Sequence, residues 1–151
     1  MNDFTTSRSG IELIKKHEGV RLLPYLCPAG VPTIGYGNTF YPSGRRVTMQ
    51  DPPLSRTQAD ELLRGILLGF EIEINSVPVR LNQNQFDALV SFVYNIGVGA
   101  WRKSSARRHL LARRFDAVPA SMALWNKGGG KVLPGLTRRR AEEGALFAKV
   151  G

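Results

Sequence analysis

Apolar residues recur at helical spacing along most of this chain and at strand-like spacing only near its start. In residues 9–18, Ile11, Leu13 and Ile14 mark one face and Gly19 supplies a stop, which predicts a short opening helix. Residues 20–27, 31–36 and 45–48 are brief runs cut by Pro24, Pro28, Gly30, Gly35, Gly37, Pro42 and Gly44. That punctuation predicts a small antiparallel sheet with tight turns. After the Pro52-Pro53 break, Ser55-Arg56-Thr57-Gln58 has the form of a capping box. Behind it Ala59, Leu62, Leu63, Ile66, Leu67, Phe70 and Ile74 repeat every three or four residues, so a long helix is expected there. Beyond Pro78 the pattern predicts helices over 83–96 with Asn82 as cap, 105–114, about 118–126 and 137–150. The glycine run 128–130 reads as a short mobile loop. The sum is an α+β architecture in one domain of 151 residues. A small sheet-bearing N-terminal lobe over about 1–54 leads through a connecting helix over 55–76 to a helical lobe over 77–151, with a cleft expected between the lobes.

Composition narrows the function without choosing it. Twenty-one Lys and Arg against twelve Asp and Glu give a net charge of +9, which favours polyanionic surroundings: nucleic acid, an anionic membrane or a bacterial envelope. Cys27 is the only cysteine, so no intramolecular disulfide can form. His17 and His109 stand apart without zinc-ligand spacing, so neither a metal nor a cofactor is expected. The start of the chain lacks the apolar run of a leader, and no stretch is apolar enough to span a bilayer. The expectation is a soluble chain made in the cytoplasm, acting as a monomer.

One carboxylate stands out. Glu18 falls four residues after Ile14 and seven after Ile11, on the line of the apolar face and at the C-terminal end of the opening helix. The helix dipole and burial both disfavour its charged form there, so the carboxyl group is expected to titrate above the ordinary glutamate value of about 4.3. A carboxylic acid that keeps its proton near neutral pH is suited to general acid catalysis. The blander alternative is an end-of-helix glutamate whose head reaches water. Cys27 follows Glu18 after eight residues and Thr33 follows Cys27 after five; in the expected sheet both lie near facing strand ends across a turn.

This pattern resembles that of the phage-type lysozymes, the endolysins of glycoside hydrolase family 24: Glu, eight residues, Asp or Cys, five residues, Thr or Ser. The surrounding segments are similar too: His17-Glu18-Gly19, Pro32-Thr33-Ile34-Gly35-Tyr36-Gly37, Leu81-Asn82, and Asn84-Gln85-Phe86-Asp87-Ala88-Leu89 running on through Tyr94-Asn95-Ile96-Gly97. Gly135-Leu136-Thr137-Arg138-Arg139-Arg140-Ala141-Glu142-Glu143 and Leu146-Phe147 resemble the family's closing helix. The resemblance implies a lysozyme-like fold and hydrolysis of the β-1,4 link between N-acetylmuramic acid and N-acetylglucosamine in peptidoglycan. It implies Glu18 as general acid, Cys27 and Thr33 as its companions, and an arginine of the closing helix as salt-bridge partner of the acid, Arg139 being favoured over its neighbours Arg138 and Arg140. Gly35, Tyr36, Tyr94 and Asn95 match segments that line the family's substrate cleft. Release to the cell wall through a holin-made opening, and lysis of the host, are further implications. The departure is Cys27, since an unshifted thiol of pKa about 8.5 is mostly neutral where an aspartate would be charged.

Other classes remain in play. The run Arg107-Arg108-His109-Leu110-Leu111-Ala112-Arg113-Arg114 and the triple arginine at 138–140 suit a nucleic-acid-binding module. Leu110, Leu111 and Phe115 give the first run an apolar face, however, and Glu142 and Glu143 follow the second, as in ordinary amphipathic helices, so no nucleic-acid partner is expected. A catalytically weak relative that only binds glycan, and a cationic C-terminal helix that disrupts membranes, complete the alternatives.

Overall fold

The computed structural model describes residues 2–150, so residues 1 and 151, the ends of the expected single domain, lie outside the described residues. Its contacts gather into two compact units: Ile14–Leu68 forms one, and the chain through Leu13 together with Gly69 onward forms the other. The division falls within two helices, α1 (Arg8–Glu18) and α2 (Arg56–Asn75). The fold is α+β, helices with small antiparallel sheets.

In the Ile14–Leu68 unit, β1 (Arg21–Leu26) pairs antiparallel with β2 (Pro32–Gly35) in the register Leu26 to Pro32, Tyr25 to Thr33 and Arg21 to Gly35. The register shifts between Arg21 and Tyr25, around Pro24, which has no N–H to offer a ladder. The turn is written in the sequence: Gly30 N–H donates to Cys27 O at 2.7 Å, Pro28 suits the first central position, and Gly30 takes the left-handed slot at φ 78°.

The expected third strand over 45–48 does not form. Arg46 makes only an isolated bridge to Phe40, while Asp51 accepts hydrogen bonds from Thr48 N–H at 3.0 Å, Thr48 Oγ1 at 2.8 Å and Arg45 at 3.2 Å, curling the segment into a loop. Val47 is still buried, in a small core with Ile34 and Leu62 that Tyr41, Leu54 and Ile66 cover. The capping box that opens α2 is present, with Ser55 N–H on Gln58 Oε1 at 2.8 Å and Gln58 N–H on Ser55 Oγ at 3.0 Å. Ala59, Leu62, Leu63, Leu67 and Ile74 of the expected stripe are buried, and Ile66 and Phe70 half-buried.

The second unit is built on α3 (Gln83–Ile96), opened by a full capping box between Asn82 and Gln85 and buried from Phe86 through Val93. Around it stand α4 (Val98–Lys103), α5 (Ser105–Leu111), a 3-10 turn (Phe115–Ala117), α6 (Val118–Ala123), β3 (Lys127–Gly128), β4 (Lys131–Val132) and α7 (Pro134–Ala148). Phe92 meets Trp101 and Trp125 edge-on at 6.3 and 6.5 Å. Three expectations are corrected here. The helix expected over 105–114 stops at Leu111, because Arg113 turns into the left-handed region at φ 58° and caps the helix. The helix expected to reach 126 ends at Ala123. The glycine run is the turn of a hairpin, Gly129 and Gly130 supplying the two positive φ values that a tight two-residue turn requires. At the start of the chain, Thr6 donates through N–H and Oγ1 to Glu71 Oε2 at 2.8 and 2.6 Å, which ties the N-terminal residues to this unit. Among the described residues no helix is long and apolar enough to cross a membrane.

Candidate active site

Glu18 is the last residue of α1 and is half-buried. What it lies against is a tight turn beyond β2. Ile34 and Asn38 exchange both backbone hydrogen bonds at 2.9 Å, and Gly37 within the loop has φ 80°. A β-carbon on Gly37 would stand 2.9 Å from Glu18 Oε1, closer than carbon and oxygen tolerate. The bare α-carbon is therefore what lets the carboxylate seat against the turn.

A brace holds that turn in place. Tyr36, 5% exposed, donates its hydroxyl to Asp60 Oδ1 at 3.0 Å; Lys15 Nζ reaches the same oxygen at 3.0 Å and lies 5.6 Å from the Tyr36 ring centroid. Lys15 first, then Tyr36, hold the Asp60 carboxyl below the ordinary range. Burial and the neighbouring Asp60 push the Tyr36 phenol up. The three side chains join α1, the turn and α2, one helical turn before Glu18.

Cys27 and Thr33 stand at the closed end of the hairpin. Cys27 N–H donates to Val31 O at 3.0 Å, and Thr33, 3% exposed, donates its hydroxyl to the same Val31 O at 2.8 Å. Hydrogen bonding from the Val31 backbone, with smaller help from Ala29 and the Thr33 side chain, draws the Cys27 thiol below its ordinary pKa against the opposing effect of desolvation. Arg21, three residues after Glu18, pairs with Gly35, and Thr33 stands two residues, about 7 Å, back along the strand from Gly35. The hairpin thus carries Cys27 and Thr33 at its closed end, while Glu18, at the end of α1, lies against the turn beyond its open end. An acid at one end and a hydroxyl beside an acidified thiol at the other suit proton donation and the orientation of a water molecule.

The remaining expected residues have structural tasks on view. Gly35 is buried at φ 69°, and a β-carbon there would meet Asn38 Oδ1 at 3.1 Å and Leu62 Cδ2 at 3.2 Å, so packing accounts for this glycine. In the other unit, Tyr94 is half-buried against Phe70 with ring centroids 5.4 Å apart, and Asn95 is exposed, its Oδ1 accepting from Arg140. Arg139 is 3% exposed; its Nε donates to Glu143 Oε2 at 3.1 Å and a terminal nitrogen to Ser91 O at 3.0 Å. Glu143, at 0% exposure, also accepts from Ser91 Oγ at 2.6 Å and from Arg140. Of the triple arginine only Arg138 faces solvent. A cavity of about 520 Å³ in this unit, lined by Asn82, Phe115, Phe147 and Lys149 among others, contains none of the expected site residues. Among the described residues no three His, Cys, Asp or Glu side chains gather as a metal site would require.

Sequence reasoning missed the Lys15–Asp60–Tyr36 brace and the role of Glu143. Nothing in the sequence links Asp60 to a tyrosine 24 positions away. The i to i+4 spacing of Arg139 and Glu143 was a usable signal, since it sets the two on one helix face.

Comparison with known proteins follows the same lines. The phage lysozyme family model matches residues 15–143. The endolysin of Bacillus phage PZA is 43% identical over 147 residues, covering 93% of this chain and 54% of the relative. The endolysin of Salmonella phage P22 is 39% identical over 142 residues, covering 93% of this chain and 96% of the relative. Among solved structures, the endolysin from Escherichia coli O157:H7 phage FAHEc1 superposes with a TM-score of 0.88 at 34% identity, over 97% of this chain and 95% of that one. The chain spans about half the length of the two Bacillus phage endolysins it matches.

Proposed function

The chain belongs to the phage lysozyme family, and on that footing we propose that it is a muramidase, cutting the β-1,4 bond between N-acetylmuramic acid and N-acetylglucosamine in bacterial peptidoglycan. The observation that carries this reading is the Glu18 carboxylate seated on the bare α-carbon of Gly37, at the open end of the hairpin that holds Cys27 and Thr33. Glu18 protonates the leaving glycosidic oxygen while positive charge develops on the sugar as an oxocarbenium-like species. Thr33 and Cys27 orient the attacking water. The downward shift of the Cys27 thiol draws it toward the anionic form, the charge an aspartate would carry in its place. Tyr94 and Asn95 contact sugar, and Gly35 and Tyr36 keep the turn beneath Glu18 rigid. Arg139 as the partner of Glu18 rests on the family likeness alone. The enzyme is made in the cytoplasm of an infected cell, reaches the wall through a holin-made opening and lyses the host.

Mass spectrometry of muropeptides released from purified sacculi tests the bond and the chemistry together. The expected products end in N-acetylmuramic acid that has gained water. Glu18→Gln should lower turnover at least a hundredfold, since a positioned acid contributes on the order of 10²–10⁴. Substantial turnover by that variant would refute the scheme. The second reading, a glycan-binding relative without catalysis, draws on the missing second carboxylate at Cys27; sacculi that bind the protein yet release no reducing ends would establish it.

A further inference from the structure

The net positive charge of this chain comes from one part of it. Residues 1–87 hold nine basic and nine acidic side chains, whereas residues 88–151 hold twelve and three. Its densest portion is the corner formed by α4, α5 and the cap that follows, where Lys103, Arg107, Arg108, Arg113 and Arg114 occur with no acidic residue among them. The corner is compact. An Arg108 guanidinium nitrogen reaches back to Lys103 O at 3.5 Å, and the backbone N–H groups of Arg113 and Arg114 fold over the last turn of α5 onto Leu110 O and His109 O, both at 2.9 Å. Among the described residues none of these five cations is in an ion pair, and Arg107 Nε is buried without a hydrogen-bond partner. Arg113 sits at φ 58°, in the capping position that glycine fills without strain. One cation would satisfy the dipole of so short a helix; five crowd and repel each other.

We propose that this corner is a docking surface for a flexible phosphodiester polymer of the cell wall, of the polyol-phosphate class, which keeps the enzyme on the wall it digests. Charge complementarity selects a polyanion, and two features select its form. The apolar side chains here turn inward, Ala106 and Leu110 fully buried and Leu111 and Phe115 half-buried, so nothing is presented for insertion into a bilayer. The helices are six and seven residues long and offer no exposed aromatic for base stacking, so neither groove reading nor single-strand nucleic-acid binding fits. A pliant chain can wrap such a corner, each phosphate meeting one guanidinium or ammonium group. The partner deepens the muramidase reading and rests on it for its biological purpose, although binding is measured independently of cleavage.

The test uses the full chain and fluorescently labelled linear poly(glycerol phosphate), titrated between 50 and 200 mM salt. Engagement of about five phosphates predicts an association constant that falls about a hundredfold across that range. The variant with Lys103, Arg108, Arg113 and Arg114 all changed to Gln should bind at least tenfold more weakly at 50 mM salt and lose most of the salt dependence. Arg113→Gly alone should raise the melting temperature while weakening binding, opposite movements that a purely structural arginine would not show. Polymer binding unchanged in the fourfold variant overturns the proposal. Phosphatidylglycerol vesicles bound in place of the polymer, or duplex DNA held tenfold more tightly than the polymer at equal phosphate, overturns it in favour of a membrane or nucleic-acid partner. Cleavage of a soluble, uncharged glycan fragment should be equal in parent and variant. If neither cleaves, the muramidase reading fails while the binding result stands.

Discussion

Replacing Gly37 with alanine should disable the site without removing any chemical group. The new β-carbon would stand 2.9 Å from Glu18 Oε1, so one of the two must move by several tenths of an ångström. The end of a glutamate side chain yields more readily than backbone, so the carboxylate is the part displaced. Displacement of a reacting group on the ångström scale lowers rate by up to about 10²-fold, equivalent to about 2.7 kcal/mol of barrier. Alanine at φ 80° also carries a backbone penalty of about 1–2 kcal/mol, which would cloud a simple comparison. Gly44 separates the two effects, since it has φ 90° with nothing within 4 Å of its would-be β-carbon. Gly37→Ala and Gly44→Ala should therefore lose similar stability in urea denaturation, while only the first loses activity, measured as the initial clearing rate of a cell-wall suspension. Clearing by Gly37→Ala within twofold of Gly44→Ala would show that the contact has no bearing on catalysis.

Glu143→Gln should destabilise the protein by about 3–5 kcal/mol, because two buried guanidinium groups lose the carboxylate between them; calorimetry showing a loss under 1 kcal/mol contradicts this. Alkylation of Cys27 by iodoacetamide should reach half its maximal rate at a lower pH in the folded chain than in the urea-unfolded chain, and Thr33→Val should move the folded midpoint upward. A folded midpoint equal to or above that of the unfolded chain refutes the shift. Asp51 is held well below the usual carboxylate range, first by the Tyr41 hydroxyl and then by Thr48, with Arg45 adding. A folded pKa below the unfolded value of about 3.9 stabilises above that pH and ceases to as pH falls through the folded value. Asp51→Asn should accordingly be less stable than the parent at pH 7, with the gap closing on acidification below pH 4; a gap constant down to pH 2 in urea titrations argues against it.

The long helices were legible because many positions vote on each. Seven residues of one stripe and a Ser-x-x-Gln cap announce α2, and Asn82 with Gln85 announces α3. The six residues of α4 hold a single buried side chain, Trp101, too few for any period to be read. The run 45–48 misleads for the same reason: four residues set off by Pro42 and Gly44 are consistent with a strand, but Asp51, three residues beyond Thr48, captures the segment. In the candidate site, the nearness of Cys27 and Thr33 was legible, because a hairpin turns a fixed separation in sequence into proximity. The contacts that position them were not legible. Gly37 against Glu18 and Asp60 beneath Tyr36 arise where separate elements meet, and no local pattern records such a meeting. The packing role of Gly35 was likewise hidden: its missing side chain makes room for Asn38 and for Leu62, which comes from α2.

The turn that closes the hairpin leaves position 27 chemically interchangeable. Its backbone is clamped by its own N–H on Val31 O and by Gly30 N–H on its carbonyl, and the thiol contributes little to any core. Conformation there is dictated by the proline and glycine of the loop, so the side chain works like a tool in a fixed holder. An acid can take the place of the thiol without disturbing the hairpin, and the character of the site can change from sulfur to oxygen in one substitution.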